Sequence, residues 1–132
     1  MTVTINASTS TGLISTADTS GIIKLQSNGV TTNALAWVNF AGASGTRAAN
    51  YNVSSVTRNG TGDYTITFTN ALSDANYCLS GSASQDANGW GTVVIKGIGS
   101  VTTMTTSAVR IVALGYTTFF DPVLVCVNIF GN

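Results

Sequence analysis

The side chains of this chain that could do chemistry are few, because the sequence contains five aspartates but no glutamate and no histidine. Without histidine, neither a Ser-His-Asp nor a Cys-His arrangement can be assembled from the chain. A carboxylate pair for glycoside hydrolysis would have to come from the aspartates. Asp63 and Asp74, however, lie in turn-like contexts, where aspartate serves backbone hydrogen bonding. We therefore predict that the protein is not an enzyme and has no catalytic residues.

No pattern for a cofactor or a metal is present either. The glycine-rich stretches at 42–45 and 97–99 lack the Lys-Ser/Thr ending of a phosphate-binding loop, and no aspartate spacing matches a calcium loop. Cys78 and Cys126 make no zinc site without histidine, so we predict neither cofactor nor metal. Both cysteines lie in apolar, strand-like runs, and we expect two buried free thiols. A disulfide is the alternative if their strands are neighbours.

One loop-like segment, Ser82–Gly91, combines residue types that commonly bind sugars: an aromatic ring for the apolar face, and amides and a carboxylate for the hydroxyls. The candidate glycan-binding residues are Gln85, Asp86, Asn88 and Trp90. The alternative is that Trp90 begins the next strand and packs inward, as buried tryptophans usually do. We expect Trp37 to lie in the core for the same reason.

A second aromatic cluster lies in GYTTFFDP, where Tyr116, Phe119 and Phe120 occupy a loop between two strand-like segments. Leaving three rings in water is unfavourable, so they either cap the core or contact another subunit. We prefer the subunit contact. Closed symmetry would hide these rings.

The charge pattern argues against nucleic-acid and membrane partners. Basic and acidic residues balance at a net charge of zero, and the five basic residues are scattered singly. Binding to nucleic acid or anionic lipid requires clustered Lys and Arg. No apolar run reaches the roughly 20 residues that span a bilayer, and the polar start of the chain does not resemble a signal peptide. We predict no nucleic-acid partner and no membrane insertion.

Strand-forming and turn-forming residues dominate the chain and predict an all-β fold: a single antiparallel β-sandwich or jelly-roll-like domain. The clearest element is a hairpin over Val53–Phe68, with its turn at 59–62 and with Tyr64, Ile66 and Phe68 on one buried face. We predict further strands at Ile22–Leu25, Leu35–Phe40, Tyr77–Ser82, Gly91–Lys96, Ala108–Leu114 and Val123–Phe130. The last is nearly continuously apolar, so we expect it to be central and buried on both faces, or to lie at a subunit contact.

The beginning of the chain differs from the rest. Residues 2–21 are almost wholly Thr, Ser, Asn, Ala and Gly, and bury too little apolar surface to fold alone. We predict an extended N-terminal arm over 1–33, which serves anchoring or subunit contact, and a β-sandwich domain over 34–132. The arm is either disordered or ordered against neighbouring subunits.

From Ala36 to Tyr77 the chain reads AWVNFAGASGTRAANYNVSSVTRNGTGDYTITFTNALSDANY, and it closes with VLVCVNIFGN. These motifs resemble a module of tailed-phage virion proteins that often forms the C-terminal tip of tail-fibre-like proteins. The resemblance covers about three quarters of the chain and carries no catalytic residues. It implies a structural protein on the surface of the virion, assembled in the host cytoplasm, that contacts host-surface polysaccharide. Because such phage modules are commonly trimers, it also implies a homotrimer.

The resemblance leaves one alternative role open. Fibre tips usually follow a long shaft, whereas here a short polar arm precedes the module. A capsid decoration protein that stabilises the shell through this N-terminal arm, and so contacts other virion proteins, is therefore the second expectation.

Overall fold

The computed structural model describes residues 26–27, 30–87, 89–98 and 101–131. In this part of the chain eight strands of four or more residues form the fold. They are β1 (Ala36–Phe40), β2 (Arg47–Tyr51), β3 (Val53–Gly60), β4 (Asp63–Phe68), β5 (Cys78–Ala83), β6 (Thr92–Ile95), β7 (Ala108–Leu114) and β8 (Val125–Phe130). Two short ladders, Gln26–Ser27 with Val30–Thr31 and Gly97–Ile98 with Val101–Thr102, lie outside them. Among the described residues, no helix could cross a membrane.

Two antiparallel sheets of four strands each pack face to face. Sheet I has the spatial order β3, β4, β7, β6, and sheet II has the order β2, β1, β8, β5. The prediction of an all-β antiparallel sandwich is confirmed. The predicted strand Ile22–Leu25 and residues 1–25 of the predicted arm lie outside the described residues, and the boundary at 33/34 stays a prediction.

The predicted hairpin is present as β3 and β4, joined by a turn of two residues. Gly60 pairs with Asp63, so the turn consists of Thr61 and Gly62, and Gly62 has a φ of +64°. Glycine adopts this left-handed conformation without the steric cost that a Cβ brings. A side chain at Gly62 would also meet backbone atoms of Ala113 and Phe120. The turn therefore requires glycine for two independent reasons.

The core lies between the sheets and follows the alternation of the strands. In β4, Tyr64, Ile66 and Phe68 are buried as predicted, while the threonines between them face outward. The rings of Phe40 in sheet II and Tyr64 in sheet I meet edge to face at 5.0 Å. This arrangement adds to the stabilisation that burial itself provides.

In sheet II the prediction for Trp37 is wrong and that for β8 holds only in part, and the same alternation explains both. Trp37 is 38% exposed, because Ala36, Val38 and Phe40 of β1 already occupy the inner face. Strand β8 is central, between β1 and β5, as predicted, but only one of its faces is buried. The alternative that its other face lies at a subunit contact stays a prediction. Within the described part of the chain, every second residue of these strands faces away from sheet I.

The cysteines are free, as predicted, but they are not buried. Cys78 is exposed and Cys126 is half-buried. Their strands are neighbours, yet the register pairs Cys78 with Phe130 and Cys126 with Ser82. The two thiols are therefore about four residues apart along the ladder, roughly 13 Å at the rise of a β-strand. A disulfide would require a Cα separation under about 7 Å.

The connections sort to two ends of the sandwich. At the loop end lie four connections: 41–46, 61–62, 84–91 and 115–124. At the opposite end, the base, lie 69–77 and 96–107. The chain also enters the sandwich at the base, where the backbone N–H of Leu35 donates to the carbonyl of Ile129. Whatever precedes residue 35 is therefore joined to the end opposite the loops.

Candidate functional site

The loop end is organised by Asp121, whose carboxylate ties the 115–124 loop to sheet I. Its Oδ1 accepts from the Tyr64 hydroxyl at 2.9 Å and from the Gly62 backbone N–H at 2.9 Å. The Arg58 guanidinium donates to both oxygens, through Nε at 3.1 Å and Nη2 at 2.6 Å. A carboxylate with this many donors is fixed in position.

The same contacts shift the pKa values of this network. The Arg58 guanidinium, above all, holds the pKa of Asp121 at about 2, with help from the Gly62 N–H and the Tyr64 hydroxyl, against a smaller opposing effect of burial. Burial, followed by the hydrogen bond to Asp121, raises the pKa of Tyr64. At neutral pH Asp121 is therefore ionised and Tyr64 is neutral. The network holds the 115–124 loop against sheet I and does not act as an acid–base pair.

Asp86 performs a similar task in the 84–91 loop. Its Oδ1 accepts from the Trp90 backbone N–H at 3.1 Å, and its own N–H donates to the Trp90 carbonyl at 2.6 Å. Its Oδ2 accepts from the Tyr116 backbone N–H at 3.2 Å. Asp86 thus closes its own loop and links it to the turn at 115–118, which a hydrogen bond from Gly115 N–H to the Thr118 carbonyl closes.

The two loops are joined a second time near Leu124. The Ser84 backbone N–H donates to the Leu124 carbonyl at 2.8 Å, and the Leu124 N–H donates to the Ser84 hydroxyl at 3.2 Å. Loops with this many mutual hydrogen bonds present their side chains in a defined arrangement.

The outcome of these links is a pair of exposed aromatic rings. Trp90 is 59% exposed and Tyr116 is 66% exposed, and their ring centroids are 5.9 Å apart with an interplanar angle of 47°. We call Trp90 and Tyr116 the ring pair. The alternative prediction that Trp90 packs inward is wrong, because Val93 of the following strand takes the inner position.

The predicted glycan-binding residues have different positions. Gln85 is exposed and lies in the same loop as Trp90. Asp86 is half-buried and forms the loop contacts just described. Asn88 lies outside the described residues. Trp90 and Tyr116 belong to two separate candidate sites in the sequence, whereas the structure brings them together.

The three residues predicted to form the subunit contact differ in their exposure. Tyr116 and Phe119 are exposed, whereas Phe120 is half-buried and packs against the core. Packing against the core is the alternative that the sequence left open for these rings, and the backbone N–H of Phe120 donates to the Ala113 carbonyl at 3.4 Å. The role of Phe120 in a subunit contact stays a prediction. Val123 and Leu124 in the same loop are exposed as well.

A cleft of about 450 Å³, open to solvent, lies next to the 115–118 turn. It is lined by Thr61, Leu114, Thr117, Thr118 and Phe119. An antiparallel bridge between Leu114 and Phe119 fixes the two apolar residues relative to each other. None of the lining residues carries a charge.

On the outer face of sheet I, a cluster of charged residues forms ion pairs and hydrogen bonds around Asp63. Asp63 is 8% exposed and accepts from Arg110 Nε and Nη2, both at 2.8 Å, from Lys96 Nζ at 2.5 Å and from Asn59 at 3.2 Å. The Arg110 guanidinium, above all, lowers the pKa of Asp63 far below its ordinary range. Both oxygens of this buried carboxylate are engaged by donors, which leaves no group for acid–base chemistry, and removing one partner would leave the others uncompensated.

No group of three or more metal-ligating side chains of the His, Cys, Asp and Glu types occurs among the residues that the structure describes. No protein-family model, no curated protein sequence and no solved structure that we searched matches this chain.

Proposed function

We propose that this protein is a non-enzymatic structural protein of a tailed-phage virion, exposed on the particle surface as a tail-fibre or receptor-binding appendage that contacts host-surface glycan. The observation that carries the glycan part is the ring pair: two large aromatic side chains, each more than half exposed, are held side by side by Asp86. The virion part follows from the resemblance of the motifs between Ala36 and Tyr77.

Exposed rings suit sugars for a physical reason. The C–H face of a pyranose is apolar and packs on an aromatic face, while its hydroxyls need polar groups nearby. Two exposed rings, tilted by 47° to each other, offer adjacent aromatic faces for such a unit. Gln85, exposed in the same loop, supplies an amide that can both donate and accept.

The architecture separates this surface from the rest of the protein. The chain enters the sandwich at the base, at Leu35, and the ring pair lies at the loop end. A protein that is attached through its N-terminal arm would therefore present the ring pair away from its attachment. This polarity is what a surface-displayed binding module requires.

Binding to glycan is tested with purified protein on an array of bacterial surface polysaccharides, followed by titration of the best binder. Trp90→Ala should weaken binding at least about tenfold, corresponding to about 1.4 kcal/mol. Trp37→Ala is the matched control, because Trp37 is also solvent-exposed but lies on the outer face of sheet II. The glycan proposal would be contradicted if both variants lost the same affinity for polysaccharide, or if the unaltered protein bound no polysaccharide.

The alternative proposal is a capsid decoration protein that grips the shell through residues 1–33. The attachment of this segment at the base, away from all four loops of the loop end, favours a gripping role that leaves the loops free. Copy number per virion, measured by mass spectrometry against the major capsid protein, separates the two roles. A few dozen copies or fewer support the tail appendage, whereas hundreds support the decoration protein.

We also propose that the protein is a homotrimer. A subunit contact formed by Tyr116 and Phe119 would cover the rings that sugar binding needs, so this contact and the glycan proposal are alternatives for this surface. Both rings are exposed, and closed symmetry would remove apolar surface from water. Light scattering coupled to size-exclusion chromatography should give three times the monomer mass. A monomer at micromolar concentration would contradict the proposal.

A further inference from the structure

We propose that the cleft formed by Thr61, Leu114, Thr117, Thr118 and Phe119 is a second sugar subsite, selective for a neutral sugar that carries a methyl group. This inference rests on the proposed glycan binding and names the substrate class of that surface. The shared chemistry is a methyl group on an otherwise hydroxylated ring, as in an N-acetylhexosamine or a 6-deoxyhexose.

The position of the cleft is continuous with the ring pair. Tyr116 and the cleft residues Thr117 and Thr118 belong to one turn, which the Gly115–Thr118 hydrogen bond closes. A glycan that stacks one unit on the ring pair can therefore place a neighbouring unit across the turn and into the cleft. The volume of about 450 Å³ lies in the lower half of the range of small-molecule sites, roughly 300–1,000 Å³, which suits one sugar unit and not a long chain.

The walls of the cleft are mainly apolar and bear only hydroxyls as polar groups. Leu114 is half-buried and Phe119 is exposed, and their side chains form a surface on which a methyl group is favourably buried. No charged residue lines the cleft, and Arg58, which contacts the lining residue Thr61, is already paired with Asp121. A sugar carboxylate or sulfate entering the cleft would therefore lose hydration without gaining a free counter-ion. The cleft therefore favours neutral sugars over acidic ones.

The hydroxyls that line the cleft are able to bind a sugar. Arg58 Nη2 donates to Thr61 Oγ1 at 3.4 Å, which leaves the Thr61 hydroxyl proton available to donate. In the described part of the chain, no side-chain hydrogen bond is formed by Thr117 or Thr118. A hydroxyl in this setting exchanges water for a sugar hydroxyl at little net cost.

The first experiment compares four free sugars by saturation-transfer NMR and titration calorimetry with the full chain: N-acetylglucosamine, rhamnose, glucose and glucuronic acid. The first two should bind at least fivefold more tightly than glucose, and the strongest saturation should fall on their methyl protons. Comparison of the first two arms identifies whether the acetamido or the 6-deoxy methyl is preferred. Equal affinity for all four sugars, or a preference for glucuronic acid, would overturn the inference.

Variants then assign the effect to the cleft. Thr118→Val keeps the shape and removes a hydroxyl, and Phe119→Ala removes an apolar wall. Each should reduce the preference for methyl-bearing sugars at least threefold. Thr69→Val is the matched control, because Thr69 is an exposed threonine at the base. Unfolding curves of all three variants establish that they are folded.

The inference and the proposed function fail in different ways. If polysaccharide binding depends on Trp90 but Thr118→Val and Phe119→Ala leave the sugar preference unchanged, the ring pair binds glycan and the cleft inference is wrong. If neither polysaccharide nor any free sugar binds, both are wrong.

Discussion

The network around Asp121 gives a prediction whose magnitude can be worked out. In Asp121→Asn, the retained Oδ1 can still accept from the Gly62 N–H and the Tyr64 hydroxyl. The new amide, however, replaces Oδ2, the acceptor of Arg58 Nη2 at 2.6 Å, so that two donors face each other. The substitution therefore preserves the shape of the site and removes its ion pair.

The pKa of Asp121 sets the expected cost. A pKa of about 2 in place of the ordinary value of 3.8 corresponds to about 2 kcal/mol at neutral pH, because one pKa unit is worth about 1.4 kcal/mol. The Asp121 side chain is 21% exposed, so solvent screens only part of the interaction. We expect Asp121→Asn to lower the free energy of unfolding by about 2 kcal/mol at pH 7.

The pH dependence follows from the direction of the shift. Because the folded state lowers the pKa of Asp121, its contribution is fully present above the ordinary pKa near 4 and is lost as the pH falls through about 2. The difference between the unaltered protein and Asp121→Asn should be constant from pH 7 to about 5. It should then shrink steadily towards pH 2.

Urea unfolding followed by circular dichroism at several pH values measures this difference. Asp74→Asn is the matched control: Asp74 accepts from the Asn76 N–H at 2.7 Å in a turn at the base, and asparagine can do the same. We expect the control to change stability by less than about 0.5 kcal/mol. The reasoning is refuted if Asp121→Asn also costs less than that at pH 7, or if its cost persists undiminished at pH 2.

Further predictions concern the base, the turn and the thiols. Asn52 has a φ of +53°, and its buried amide forms hydrogen bonds with three backbone groups. In urea unfolding, Asn52→Ala should lower the free energy of unfolding by about 2–4 kcal/mol, and Asn52→Gly should lower it by less, because glycine adopts this φ without strain. Gly62→Ala should destabilise the protein by more than about 1 kcal/mol in the same assay, whereas a neutral result would contradict the close approach of Phe120. Burial raises the pKa of Tyr77 to about 12, so its contribution to stability should be lost between about pH 10 and 12, and Tyr77→Phe should flatten this part of the unfolding profile. Both thiols should react with Ellman's reagent without reductant, Cys78 faster than Cys126; a mass two daltons below the reduced value would indicate the disulfide that the register excludes.

Much of the fold could be predicted because its signals are local. The alternation of Tyr64, Ile66 and Phe68 with threonines specifies which face of β4 is buried, and the glycine of the turn specifies a tight hairpin. The outward position of Trp37 also had a local signal: Asn39 shares its face, while Ala36, Val38 and Phe40 share the other. The prediction that Trp37 lies in the core was wrong because it followed the size of the side chain and not this alternation.

The candidate site, by contrast, depends on contacts between distant parts of the chain. Trp90 and Tyr116 are 26 positions apart, and nothing near either residue indicates that the other is its neighbour. Their proximity results from the order of strands in the two sheets and from the Asp86 carboxylate that joins their loops. The composition of the 84–91 loop alone predicted sugar binding, but it identified only one of the two rings.

By itself, the sequence determined the all-β class, most of the strands and the hairpin turn, since turn residues and a period of two act over a few positions. Only the tertiary structure decided that four loops meet at one end, opposite the point where the chain enters. It also decided that the carboxylates of Asp86 and Asp121 hold the loops in place, and that the cysteines do not form a disulfide. These features depend on strand order and register, which are set by the packing of whole sheets and not by any short segment.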